Sequence, residues 1–117
     1  GLLSASRPNG WLAGRLRADW SPAAEWMCLT GTVQIAHCWL LLATICAEQR
    51  YRDAAYAANA YVRRTIEVEG RAEIRGGVKG AHPINGDYGR FEYLNWAVKF
   101  MIDANLIERE SRTTTNT

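Results

Sequence analysis

The chain of 117 residues lacks most of the features that name a chemistry outright. It has no Cys-x-x-Cys pair, and its three cysteines, Cys28, Cys38 and Cys46, are an odd number, so a structural zinc site is not expected. Two of them fall in an apolar helical stretch. They read as buried free thiols acting as small hydrophobes in a reducing, cytoplasmic setting. Charge of one sign is also lacking: 14 Lys and Arg stand against 12 Asp and Glu. A net +2 is too mild for a nucleic-acid or membrane footprint, and no nucleic-acid partner is expected. The longest apolar run, Cys38 to Cys46, is broken only by Thr44 and falls short of the ~20 residues that span a bilayer, so no membrane insertion is expected. Asp-rich runs that would hold magnesium against a diphosphate are absent. Gly76-Gly77-Val78-Lys79-Gly80 lacks the pattern of a phosphate loop. His37 and Cys38, adjacent on a helix, point about 100° apart and make no metal pair. Neither a metal nor a cofactor is expected. There is no initiator Met and no signal-peptide core at Gly1-Leu2-Leu3-Ser4; the start reads like the middle of a longer gene, or a chain whose leading Met has been removed.

What is present is enough apolar residue, 48%, for one packed domain, with 22% charged residues arguing against global disorder. The expected domain is residues 1–110, all-α, with a disordered tail at 111–117. Residues 1–28 show no period but carry Trp11, Trp20 and Trp26, so they should pack irregularly, with a helical turn opening at Ser21-Pro22. A first helix is expected over about 30–47, capped by Thr30 or Gly31 and apolar on nearly every side. A second, about 51–68, has the stripe Tyr51, Ala54, Ala55, Ala58, Tyr61, Val62 and Thr65, with Arg52, Asp53, Asn59, Arg63, Arg64 and Glu67 toward solvent. The short turn between them predicts an antiparallel helical hairpin. Residues 69–89 hold six of the ten glycines and read as a long, ordered glycine-rich loop. A third helix, about 91–108, has Tyr93, Trp96, Ala97, Phe100, Met101, Ala104 and Ile107 on its core stripe, and an i,i+4 pair, Lys99 and Asp103, on its flank.

This order implies that the start of the first helix, the long loop and the start of the third helix meet at one end. Trp20, Trp26, Gln34, Arg75, Asn85, Arg90, Asn95 and Lys99 fall there as candidate ligand-binding residues. Glu25, His82, Asp87, Tyr88 and Glu92 are the candidate catalytic residues. A carboxylate pair could do glycosidic acid–base work, and His82 with Tyr88 could act as acid and base. The blander reading makes each carboxylate a helix-end or dipole partner and His82 a loop histidine bonded to backbone. The aromatics could form a platform for sugar rings or isoprenoid chains, with Trp96 itself read as core.

Several of these residues carry a resemblance. Trp26-Met27-Cys28-Leu29-Thr30-Gly31-Thr32-Val33-Gln34 before an apolar helix, then Arg50-Tyr51-Arg52-Asp53-Ala54-Ala55, resembles one hairpin of an α/α toroid. The run Ile74-Arg75-Gly76-Gly77-Val78-Lys79-Gly80-Ala81-His82-Pro83-Ile84, with Gly86-Asp87-Tyr88 and Tyr93-Leu94-Asn95-Trp96, resembles the last loop and helix of uncharacterised bacterial toroid proteins. Their fold relatives are terpenoid cyclases, prenyltransferases and six-hairpin glycosidases. Leu94 stands where a helix-opening Pro would be expected. The resemblance spans roughly residues 8–108 and implies only the C-terminal part of a toroid, a fragment with one and a half of about six hairpins. An incompletely covered first helix implies homo-oligomers. Three functions stay open: a carbohydrate-active domain with a sugar ligand at the loop end, a non-catalytic oligomerisation or scaffold module, and an isoprenoid-handling domain.

Overall fold

The computed structural model describes residues 1–115. It is mostly helical: α1 (Leu2–Ala5), α2 (Leu29–Cys46), α3 (Gln49–Arg64) and α4 (Asn95–Thr115), with two two-residue strands, β1 (Met27–Cys28) and β2 (Ala81–His82).

The caps of α2 explain its length. Cys28, rather than Thr30 or Gly31, is the N-cap: its Sγ accepts from the Gly31 amide at 3.4 Å, and Thr32 Oγ1 donates to its carbonyl at 2.9 Å. Ala47 stops the helix in the left-handed conformation, φ 54°, with its amide returned to the Ala43 carbonyl. Only Ala47 and Glu48 then separate α2 from α3, which folds back on it. Small residues at Ala55 and Ala58 of α3 let the two helices approach around Ala36, Trp39 and Leu40, and Leu2 and Leu3 of α1 close this cluster from outside. A second cluster joins Met27, Leu29, Val33, Val62 and Val78 to Leu94, Ala97 and Ala104. Each fully buried Leu, Val or Met contributes roughly 1.5–3 kcal/mol of transfer free energy. α2 is thus the central helix, packed on both α3 and α4.

Three helix limits differ from expectation, each for a local reason. α3 ends at Arg64, not near 68, because the Thr65 hydroxyl bonds the Val62 carbonyl and the chain leaves the helix axis, exposing Val68. α4 begins at Asn95, not near 91, because Phe91 is left-handed, φ 59°, and Tyr93 and Leu94 pair with the preceding loop. α4 then runs on through residues 111–115, expected as tail; Thr113 and Thr114 turn their hydroxyls back to the Arg109 and Glu110 carbonyls. Residues 116–117 of that expected tail lie outside the described residues.

The helical turn expected at Ser21-Pro22 does not form. Pro22 instead pairs with Leu16 in an isolated antiparallel bridge. Asp19 closes the turn between them, accepting from the Ser21 amide and hydroxyl at 3.0 and 2.6 Å. These bonds hold its carboxyl below the usual carboxylate range. Gly10, φ 92°, lets residues 7–11 lie on α3, since a side chain there would run into the Ala57 carbonyl.

Two burial expectations are overturned. Asn59 does not face solvent, and Arg63 is only partly exposed. Asn59 is fully buried, and its Nδ2 donates to the Ala104 carbonyl at 3.2 Å and to Glu108 Oε1 at 3.1 Å. Glu108, 7% exposed, also receives Arg63 at 3.2 Å and Arg112 at 3.1 Å. Arg63 reaches Asn105 as well. The cysteines are not all buried either: Cys38 and Cys46 are exposed and Cys28 is half-buried.

The outer side of α2 stays uncovered. Gln34, Cys38, Leu41 and Ile45, at i, i+4, i+7 and i+11, face water on one stripe with Leu42 beside it. Ile45 is 79% exposed. By length and composition α2 is apolar enough to cross a membrane, although 44% of it is buried inside the fold.

Candidate functional site

Three stretches of backbone meet where α2 begins. β1 and β2 pair antiparallel with Met27 opposite His82 and Cys28 opposite Ala81. The Leu29 amide donates to the Gly80 carbonyl, the Gly80 amide to the Glu92 carbonyl, and the Leu94 amide to the Val78 carbonyl, at 3.1, 3.0 and 2.9 Å. The start of α2, the segment after α3 and the start of α4 are therefore stitched together, and most of the expected site residues lie on or beside this seam.

The seam gathers the backbone but leaves the candidate side chains in separate settings. Asp87 is bound to Arg15 at 2.8 Å on the surface. Glu92 is exposed and makes no side-chain hydrogen bond among the described residues. His82 is half-buried, edge-on to Tyr61 with ring centroids 6.1 Å apart. Its Nδ1 is buried without a hydrogen-bond partner among the described residues. Burial, and secondarily the charge of Lys79, pushes its pKa below the ordinary 6.5, so the ring is neutral at pH 7. Tyr88 is engaged elsewhere, its hydroxyl accepting from Trp96 Nε1 at 3.3 Å.

The aromatics divide the same way. Trp26 is half-buried between Gly14 and Gly86, where any side chain would overlap its ring, and Arg15 sits over it at 5.5 Å. It is a clasp between the N-terminal segment and the loop. Trp20, left-handed at φ 69° and 48% exposed, lies against Gly1. Trp96, expected as core, is 49% exposed. Arg75, Asn85 and Asn95 are exposed. Arg90 lies over Phe91 at 5.5 Å. Lys99 forms the anticipated pair with Asp103 at 2.6 Å. Gln34 lines a shallow groove of about 270 Å³ with His37, Cys38, Leu41 and Phe100.

A roomier surface groove lies elsewhere, on the irregular N-terminal segment. It measures about 580 Å³ and is lined by Arg7, Trp11, Arg17, Pro22 and Glu25, with two alanines. The Arg7 guanidinium stacks on the Trp11 ring at 4.0 Å, and the Arg7 amide is fixed to the Trp11 carbonyl at 3.0 Å. The Leu16–Pro22 bridge brings Arg17 into the wall, where it donates to the Pro22 carbonyl. Of the expected site residues only Glu25 lines this groove. Arg7, Trp11 and Arg17 were not legible as a group, because a non-periodic segment gives no phase and the bridge that gathers them depends on a turn. The one signal was Trp11, a large anchor in a stretch otherwise without pattern.

No group of three or more His, Cys, Asp or Glu side chains suited to a metal occurs among the described residues. Compared with known proteins, the chain matches no family model, no curated protein and no solved structure at a significant level.

Proposed function

We propose that the chain is a non-catalytic helical module that self-associates, burying the outer face of α2 against a second copy. The carrying observation is the stripe Cys38, Leu41 and Ile45, flanked by Leu42, all facing water on the central helix. α4 adds a second exposed pair at i,i+4, Ile102 and Leu106. Lone exposed apolar residues are ordinary, whereas contiguous stripes mark interfaces. The small net charge offers little repulsion between copies. In this reading the chain supplies one and a half hairpins of an α/α toroid and a second copy supplies further helices.

The carbohydrate-active and isoprenoid readings have less support. Asp87 is held by Arg15, and Tyr88 is engaged by Trp96 rather than set beside His82.

Light scattering tests the proposal. The expected mass at tens of micromolar is twice 13.1 kDa. The double variant Leu41→Glu/Ile45→Glu is expected to be a monomer with unchanged helical circular dichroism. A monomeric parent chain would overturn the reading. So would a monomer that floats with phosphatidylcholine vesicles, which would assign the same face to a bilayer.

A further inference from the structure

The groove between Arg7 and Arg17 is built unlike its neighbours. In the adjoining groove, which shares Arg7, the other charged groups are already engaged: Arg50 is paired with Glu48, and Asp53 accepts from Gln49 at 2.9 Å. In the groove on the α4 side of α2, Glu110, Ser111 and two threonines stand with Arg52 beside Leu40, Leu41 and Ile107. The N-terminal groove instead presents two guanidiniums with no carboxylate within ion-pair distance among the described residues. Both are held in place by uncharged groups: Arg7 by the Trp11 face, Arg17 by the Pro22 carbonyl and Ser21 Oγ at 3.5 Å. Each has five N–H donors, of which these contacts use only a part, and the planar fork matches an oxyanion two bonds at a time. Stacking on an indole also fixes a long side chain before any ligand arrives, which lowers the ordering cost of binding.

Glu25 is the one acid in the wall, and it makes no hydrogen bond or ion pair among the described residues. The lining carries two cations against one anion, while the Asp19 carboxylate acts on Arg17 from the turn outside the lining. The free Glu25 carboxylate accepts from ligand hydroxyls and repels a second negative group. Arg7 covers the Trp11 face that a neutral sugar ring would stack on, so charge rather than stacking decides what fits.

From these observations we infer that this groove is a binding site for a small hydroxylated oxyanion, a carboxylate or phosphate ester of one net charge center, held by Arg7 and Arg17 with Glu25 on its hydroxyls. The site is separate from the outer face of α2 and does not rest on self-association.

Isothermal titration at low ionic strength tests it, with glucuronate, glucose 6-phosphate and inorganic phosphate as probes and glucose as the neutral control. At least one anion is expected to bind with a millimolar or tighter Kd and glucose not at all. The two organic anions separate carboxylate from phosphate recognition, and inorganic phosphate shows what the hydroxyls add. Arg7→Gln is expected to weaken the best anion at least tenfold, and added salt to weaken it progressively. Glu25→Gln is expected to tighten inorganic phosphate two- to fivefold while weakening the hydroxylated ligand relative to it. Arg17→Gln also removes a turn contact, so its result counts only where circular dichroism matches the parent chain; Arg7→Gln and Glu25→Gln leave the turn untouched. Absence of binding by all three anions overturns the inference, as does binding that Arg7→Gln leaves unchanged.

Discussion

Between α3 and α4 the protein buries Asn59 and Glu108 among two arginines, whereas on the far side of α2 it turns Leu41, Leu42 and Ile45 to water. An isolated globule arranges these the other way. A buried carboxylate costs several kcal/mol to desolvate, and its partners recover that cost without a large surplus. What the cluster does give is a fixed register: Asn59 and Arg63, four residues apart on α3, both reach Glu108, so α4 cannot slide along its partner without leaving a charge unpaired. The apolar face gives no register of its own. Its energy is gained only when something covers it, so polarity locks the inside of the protomer while apolar surface is left for contact outside.

The largest break in that comparison comes from Glu108→Ala. Arg63 and Arg112 would each lose the same carboxylate, and Asn59 one of its two acceptors. Both arginines are partly exposed and can turn to water, so the expected loss is about 2–3 kcal/mol rather than the 3–5 of a fully buried pair. At this size that lowers Tm by about 10 °C. Glu108→Gln, which keeps an acceptor, should cost less than half as much. Ile45→Lys does the opposite. It sits in the last turn of α2, where a cation suits the helix dipole, and it is almost fully exposed, so protomer stability should stay within about 0.5 kcal/mol. Its effect belongs to association: the expected mass falls to that of one chain. Cys38, on the same stripe, should lose alkylation by iodoacetamide in the parent chain and regain it in the variant.

Only part of this contrast was legible beforehand. The alanine stripe of α3 and the apolar character of α2 gave the two-helix packing, because both follow from period alone. The polar lock was hidden. Asn59 and Arg63 read as solvent-facing on α3; the carboxylate that engages them, Glu108, stands at the expected end of the third helix, and the extension of α4 past it adds Arg112. Trp96 was misplaced for a related reason: α4 starts at Asn95, so Trp96 lies in its first turn, at the rim, and reaches Tyr88 instead of the core. The N-terminal segment was the least readable. Its order rests on long-range contacts, such as Trp26 between Gly14 and Gly86, which leave no periodic trace.

His82 sharpens the comparison from a third position, as a polar group enclosed without the partners Glu108 enjoys. Burial disfavours its imidazolium, so the folded-state pKa lies below the ordinary 6.5. The unfolded chain takes up this proton first as pH falls. The stability associated with the neutral ring is therefore complete above about pH 6.5 and is lost as pH drops through the folded-state value. Tm should fall on acidification below that pH, and less steeply in His82→Gln. Equal slopes for the two proteins would assign the effect to other groups.

The smallest effect isolates burial from geometry. α4 carries two i,i+4 ion pairs, Lys99–Asp103 at 2.6 Å and Glu108–Arg112 at 3.1 Å. The shorter pair is the weaker one. Lys99 is 65% exposed, so solvent and salt screen the attraction, and a cation N-terminal to its anion opposes the helix dipole, whereas Glu108 precedes Arg112 in the favourable order. Asp103→Ala should therefore cost no more than about 0.5 kcal/mol, and that cost should vanish in 0.5 M salt; the loss in Glu108→Ala should persist there. If chemical denaturation gave the two substitutions the same cost and the same salt dependence, spacing on the helix would govern both pairs, and the enclosure by Asn59 and Arg63 would contribute nothing to the lock.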